Sequence, residues 1–383
     1  MSTIPFIILQ QYWWIIISLL AGLLVFLLFV QGGQTLIYTL GKTGIEQSLI
    51  VNSLGRKWEF TFTMLVVFGG AFFASFPMFY STSFGGAYWV WMSILFCFIV
   101  QAISYEYRSK PSNFLGKKTF DVFLFINGAL GTILLGTAVA TFFTGSKFSI
   151  DLGNIATEGN NAISRWESSA HGLEAVIDYR NIALGLAVFF LARVQALLYF
   201  INNINENTVI ERSRKQLWYN AIPFVVFFLL FVVSIFLSYG YAYTSDTKLI
   251  YLEKYKYLMN FIEMPLVGVL FLTGVLLVLY GIISTLFSNT NKGIWFSGSG
   301  TVLTIFALFL NAGFNNTSFY PSSYDFQSSI TIQNGSSSYY TLTVMSYVSI
   351  LVPFVAAYMI WAWKSINNKQ ISSGELKEDE HVY

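Results

Sequence analysis

Charge is what this 383-residue chain has least of. Only 10% of its residues are Asp, Glu, Lys or Arg, where a soluble domain carries about 25%. The few cations are scattered between apolar runs instead of sharing one face, which excludes a nucleic-acid-binding surface. Histidine is almost missing, at His171 and His381 only, and neither lies in an apolar run. Haem or copper held inside a bilayer usually takes histidine from helices. The expectation for a metal site in this chain is therefore none. Cys97 is the single cysteine, which excludes an intramolecular disulfide and a thiolate cluster. It lies in an apolar run and reads as a small buried hydrophobe. No Lys or Arg precedes Lys42, so the first apolar run lacks the basic start of a signal peptide and reads as a retained helix. No GxxxxGK[ST] or Gly-rich dinucleotide fingerprint occurs, which argues against an ATP-driven pump.

What the chain has is apolar sequence, 55% of all residues. It comes in blocks that reach the roughly 20 residues needed to span a bilayer. The expected fold class is all-α: a polytopic membrane protein with nine transmembrane helices in one membrane domain over 1–383. Their approximate bounds are 9–39, 59–80, 86–107, 119–144, 180–203, 217–243, 260–287, 294–314 and 340–366. The first is longer than a bilayer requires and should tilt or project. Polar outer loops are expected at about 145–179 and 315–339, with a cytoplasmic tail at about 367–383.

Loop charge sets the orientation. One set of connections, with the C-terminal segment, carries fourteen cations: Lys42, Arg56, Lys57, Arg108, Lys110, Lys117, Lys118, Arg212, Arg214, Lys215, Lys292, Lys364, Lys369 and Lys377. The other set carries six. The positive-inside rule then puts the N-terminus outside and the C-terminus in the cytoplasm. Between the first two spans, Ile45, Leu49, Ile50 and Leu54 recur at helical spacing. Thr43 to Lys57 is expected as a short helix lying on the inner membrane surface.

Charges inside apolar runs are candidates for function. Arg193 lies about 20 Å along the helix from Arg180. Its guanidinium can snorkel, pair with a buried carboxylate or face a partner's cofactor. Glu263 and Asp121 read as acids in first helical turns, favoured by the helix dipole. Glu106 closes the third helix, where Arg108 and Lys110 compensate it. The stretch VNSLGRKWEF, Val51–Phe60, puts Trp58 and Glu59 at the mouth of the second helix. Trp58 reads as an interfacial anchor. Glu59 has two open readings, a helix cap or a carboxylate on a proton route. Gln31 and Gln34 flank Gly32 and Gly33 low on the first helix and can hydrogen-bond such a route without carrying a proton. Gly70 and Ala74 have the small-xxx-small spacing that lets another helix approach.

In order along the chain, VNSLGRKWEF, then Gly69–Tyr80 as GGAFFASFPMFY, then SYEYRSK with Glu106, Tyr107, Arg108 and Lys110, and finally YPSS, NGSSSYYTLTVM and LVPF make a specific set. The set resembles subunit II of the cytochrome bd quinol oxidases. The resemblance implies a haem-free subunit packed about a pseudo-twofold axis against subunit I, which holds haem b and haem d. It implies quinol and O2 as substrates of the complex, protons drawn from the cytoplasm, and a bacterial cytoplasmic (inner) membrane location. In some members a structural quinone or small accessory subunits are also bound. The chain departs from the family pattern in places. The D-G-F-D-x-G of the first helix reads Gln31, Gly32, Gly33, Gln34, and an Arg-Pro pair in the third reads Gln101, Ala102. A frequent tryptophan is Met64, and an A-x-G-N pattern reads Ala138–Thr141. The rival readings are a small-molecule transporter and a membrane scaffold without redox function.

Overall fold

The computed structural model describes residues 4–156, 162–288, 290–366 and 370–371. Among these are nine helical stretches long and apolar enough to cross a membrane. They are Phe6–Gln34, Gly44–Ser75, Tyr88–Tyr107, Lys117–Thr144, Tyr179–Asn203, Asn207–Leu237, Pro265–Phe287, Gly293–Gly313 and Tyr339–Ile366, named below as the first to ninth spans. The protein is an all-α, multi-pass membrane protein. Helices are the elements a bilayer permits, because each satisfies its own backbone polar groups.

The first span breaks at Leu28 and Thr35, giving Phe6–Leu27, Phe29–Gln34 and a last turn at Ile37–Leu40. The expected long first helix is therefore three pieces. The second span stops at Ser75, and Pro77 starts a new helix running to Gly86. Proline is suited to a first helical position because it needs no amide donor there. The same device starts the seventh span at Pro265. Glu263 consequently ends a short helix, Lys256–Glu263, instead of opening the seventh span. It meets Asn315, not a helix dipole's positive end. The sixth span begins at Asn207, inside the expected loop, and ends at Leu237. Tyr239–Tyr243, expected as helix, pairs with Ile250–Lys254 as an antiparallel hairpin. A second hairpin pairs Phe148–Ile150 with Ser164–Trp166.

The two hairpins lie at one end of the bundle with residues 315–338, joined through Ser146–Ser322 and Ala242–Thr317 bridges. This is the hairpin end. The opposite, basic end gathers the turn around Thr43, the Arg108 turn and the Ile204–Ile371 bridge. The helix Gly44–Gly55 forms as expected, with a full capping box between Thr43 and Glu46. It is not laid on a lipid surface. Leu49 to Gly55 are buried under the bundle, and Ser53 receives bonds from Tyr199 and Asn203.

The fifth span is the most enclosed, with 78% of its apolar window buried, and the ninth the least, with 6%. Lipid is as apolar as a side chain, so packing and interhelical hydrogen bonds hold the spans together. Trp14 shows both. It is fully buried, its indole donates to the Phe309 carbonyl at 3.0 Å, and the rings of Phe72, Phe76 and Phe319 surround it.

Candidate functional site

Two glycines bring the first span into contact with its neighbours. A Cβ on Gly32 would lie 2.1 Å from the Ala192 carbonyl, and one on Gly128 would lie 2.3 Å from the Gln31 carbonyl. Backbones meet at these crossings, and only glycine leaves room. Gly128 belongs to a π-helical turn, Asn127–Gly131, inside the fourth span. Such turns are rare and recur at functional sites. The turn places Asn127 opposite Gln31 and Gln34.

Four amides then interlock. The Gln101 carbonyl oxygen accepts from Gln31 at 2.7 Å, from Gln34 at 2.6 Å and from Asn127 at 2.6 Å. Asn127 also donates to the Gln34 oxygen at 2.8 Å, and Gln34 donates to the Tyr105 hydroxyl at 3.1 Å. All four amides are at most 1% exposed. Among the described residues, Gln31 Oε1, Gln101 Nε2 and Asn127 Oδ1 find no hydrogen-bond partner. Amides donate and accept but neither gain nor lose a proton near neutral pH. The cluster ties the first, third and fourth spans together and offers no titratable stop of its own. Gln31 and Gln34 are where the sequence placed them. Gln101 was visible only as a departure from the family pattern, and Asn127 had no signal because its position depends on the π turn.

A charged pair lies toward the basic end. Arg108 Nε meets Asp121 Oδ1 at 2.6 Å, both side chains 2% exposed, and Tyr38 donates to Asp121 Oδ2 at 2.9 Å. The expected dipole role of Asp121 is replaced by this ion pair. Arg108 is committed to it, leaving Lys110 to compensate Glu106 at 3.2 Å. Trp58 turns inward and stacks on Tyr105, centroids 5.8 Å apart and planes 14° apart. The VNSLGRKWEF turn thereby touches the amide cluster through Tyr105. Glu59 itself is exposed in the first turn of its helix.

The remaining candidates stand apart. Gly70 faces open space, and Ala74 is half-buried beside it. Gly69 and Gly70 line a groove of about 500 Å³ between the second and third spans, walled by Phe62, Val66 and Leu95. No helix of the described residues fills it. The Arg193 guanidinium lies 5.3 Å from the Phe189 ring, and its Nε is buried without a hydrogen-bond partner. No described carboxylate pairs with it. At the hairpin end a cavity of about 670 Å³ has a polar rim that includes Lys147, Glu174, Asp178 and Arg180 and an apolar floor at Val90, Trp91 and Ala138. Burial would raise the Asp178 carboxyl, but hydrogen bonds from Arg180 outweigh it and hold the group below its ordinary pKa. Among the described residues, no three His, Cys, Asp or Glu side chains converge. His381 lies outside the described residues.

The sequence profile described as "Cytochrome bd terminal oxidase subunit II" matches residues 9–366. The chain belongs to this family. It is 25% identical over 396 residues to "Cytochrome bd-I ubiquinol oxidase subunit 2" of Escherichia coli (strain K12), covering 99% of each chain. It is 27% identical over 350 residues to "Cytochrome bd ubiquinol oxidase subunit 2" of Bacillus subtilis (strain 168), covering 88% of each. The fold matches a chain of the bd oxidase from Geobacillus thermodenitrificans with a TM-score of 0.58 at 11% identity, over 95% of this chain and 100% of that one. Membership favours the oxidase reading over the transporter and the non-redox scaffold.

Proposed function

We propose that this chain is the haem-free subunit of a bd-type quinol oxidase, docked on a haem-bearing subunit I that carries haem b and haem d. The complex oxidises quinol, reduces O2 to water and builds a proton gradient. The observation that carries this reading is the family match over residues 9–366, with relatives aligned end to end. The chain is not catalytic alone. Its own contribution is a rigid bundle, an open face for subunit I and an entry for protons.

The basic end faces the cytoplasm in this reading, since its connections hold most of the cations. The membrane is the bacterial cytoplasmic membrane. Subunit I fits the face with the Gly69–Gly70 groove and the little-buried ninth span. A structural quinone fits the hairpin-end cavity, whose polar rim and apolar floor suit a polar ring on an apolar tail. Protons enter by Glu59. It is an exposed carboxylate at the basic end, next to Trp58 and thus to Tyr105. Membranes lacking this chain should lose quinol-driven oxygen consumption and haem d absorption, and regain both when the chain is supplied again. Retention of both in its absence would overturn the proposal.

A further inference from the structure

Lys57 is fully buried at the basic end, and its ammonium has no hydrogen-bond partner. Among the described residues no carboxylate pairs with it. A buried charge in that position costs stability unless something replaces water. What stands there is aromatic. Lys57 Nζ lies 4.3 Å from the Trp363 ring centroid and 5.7 Å from that of Phe60. Trp363 is in the last turns of the ninth span and is itself wedged among Phe26, Phe29, Phe60, Tyr199 and Trp295, with centroids 5.9–6.5 Å away. The ring faces carry the negative end of the aromatic quadrupole, and desolvation strengthens their pull on a cation.

The ninth span needs such a fastening. Its hairpin end is tied by Trp13 to Ser346 at 3.2 Å and by Tyr12 to Ser349 at 2.6 Å. Between Val352 and Phe354 the described side chains are exposed, and so are Tyr358, Ile360 and Trp361. Packing within this chain therefore holds little of its length. At the basic end Met359 and Trp363 turn back onto the core, and the ring cluster surrounds Trp363.

We propose that Lys57 is a cationic clasp. Its ammonium, held in the Trp363–Phe60 aromatic cage, positions the basic end of the ninth span against the mouth of the second. The clasp couples the VNSLGRKWEF turn to the helix that presents the least-covered face of the molecule.

The test is limited trypsin digestion of the assembled, detergent-purified complex, with mass spectrometry following cleavage after Lys364, in the final turn of the ninth span. Lys57→Met keeps the volume and removes the charge. Lys57→Arg keeps the charge. The clasp predicts that Lys57→Met and Trp363→Leu each speed this cleavage by about tenfold. It predicts that the double variant is no faster than either single one, and that Lys57→Arg and Trp363→Phe recover most of the protection. Cleavage of Lys57→Met at the parent rate or slower would overturn it, because the ammonium would then be a burden the fold merely tolerates. Equal speeding by Lys57→Met and Lys57→Arg would overturn it too, since shape and not charge would be responsible.

Discussion

Two buried polar clusters lie close together in this protein and work by different physics. Gln31, Gln34, Gln101 and Asn127 share their hydrogen bonds without a charge among them. Arg108 and Asp121 are a fully formed ion pair with Tyr38 attached. In the first cluster Gln34 and Asn127 each keep a second bond when one goes, and Gln31 has the Gln101 oxygen alone, but no loss there uncovers a charge. The second leaves a naked charge in an apolar bundle if either side is removed. Three amides crowded on one oxygen also differ from an ion pair in what they can do. They bridge helices at any pH and hold no proton.

Breaking the pair should have the largest effect. Arg108→Met should cost about 3–5 kcal/mol, because Asp121 stays behind as an uncompensated buried carboxylate. Little assembled complex should survive size-exclusion chromatography. Arg108→Met with Asp121→Leu should recover part of the yield. Recovery absent from the double variant would mean the pair is more than a matched set of charges.

Gln101→Leu should be milder, about 1–3 kcal/mol. It strands the Gln31 donor and takes one of two donated bonds from Gln34 and from Asn127, but leaves no charge. A thermal shift of the purified complex measures it, and the account expects the loss to be the same at pH 6 and pH 8. A pH-dependent loss would mean that a titrating group has been missed in the cluster.

Asp178→Ala should cost about 1 kcal/mol, the worth of a helix cap, since Asp178 accepts from the Arg180 amide at 2.8 Å at the start of the fifth span. The sign of its pH dependence follows from its lowered pKa. The stabilisation is complete above the ordinary carboxylate value, near about 4. It is lost as pH falls through the lower folded value. The parent and variant melting curves should therefore converge in acid and separate toward neutrality.

Glu59→Gln should leave stability and haem content unchanged and slow quinol-linked oxygen consumption. That contrast with Gln101→Leu separates the residue proposed to take up protons from the residues that hold helices. An unchanged rate would reduce Glu59 to a helix-end acid.

The sequence carried the spans, the existence of a short helix after Thr43, though not its burial, and the identity of the amides on the first helix. Period and length suffice for those. It did not carry the breaks at Leu28 and Ser75, nor the strand at Tyr239–Tyr243, because apolar composition alone cannot separate a buried strand from a helix end. Asp121 and Arg108 looked like separate local compensations. Their pairing depends on how two spans meet across a turn. Trp58 was legible as an aromatic at a helix end, yet not its stacking on Tyr105, which depends on the rotation of the second span against the third.

The central claim is that this chain assembles with a haem-bearing partner. An optical spectrum of the complex purified through a tag on this chain, with a gel of the same fraction, tests it directly. The account predicts haem b and haem d absorption and a second large subunit. A haem-free spectrum with this chain as the sole large component would contradict it.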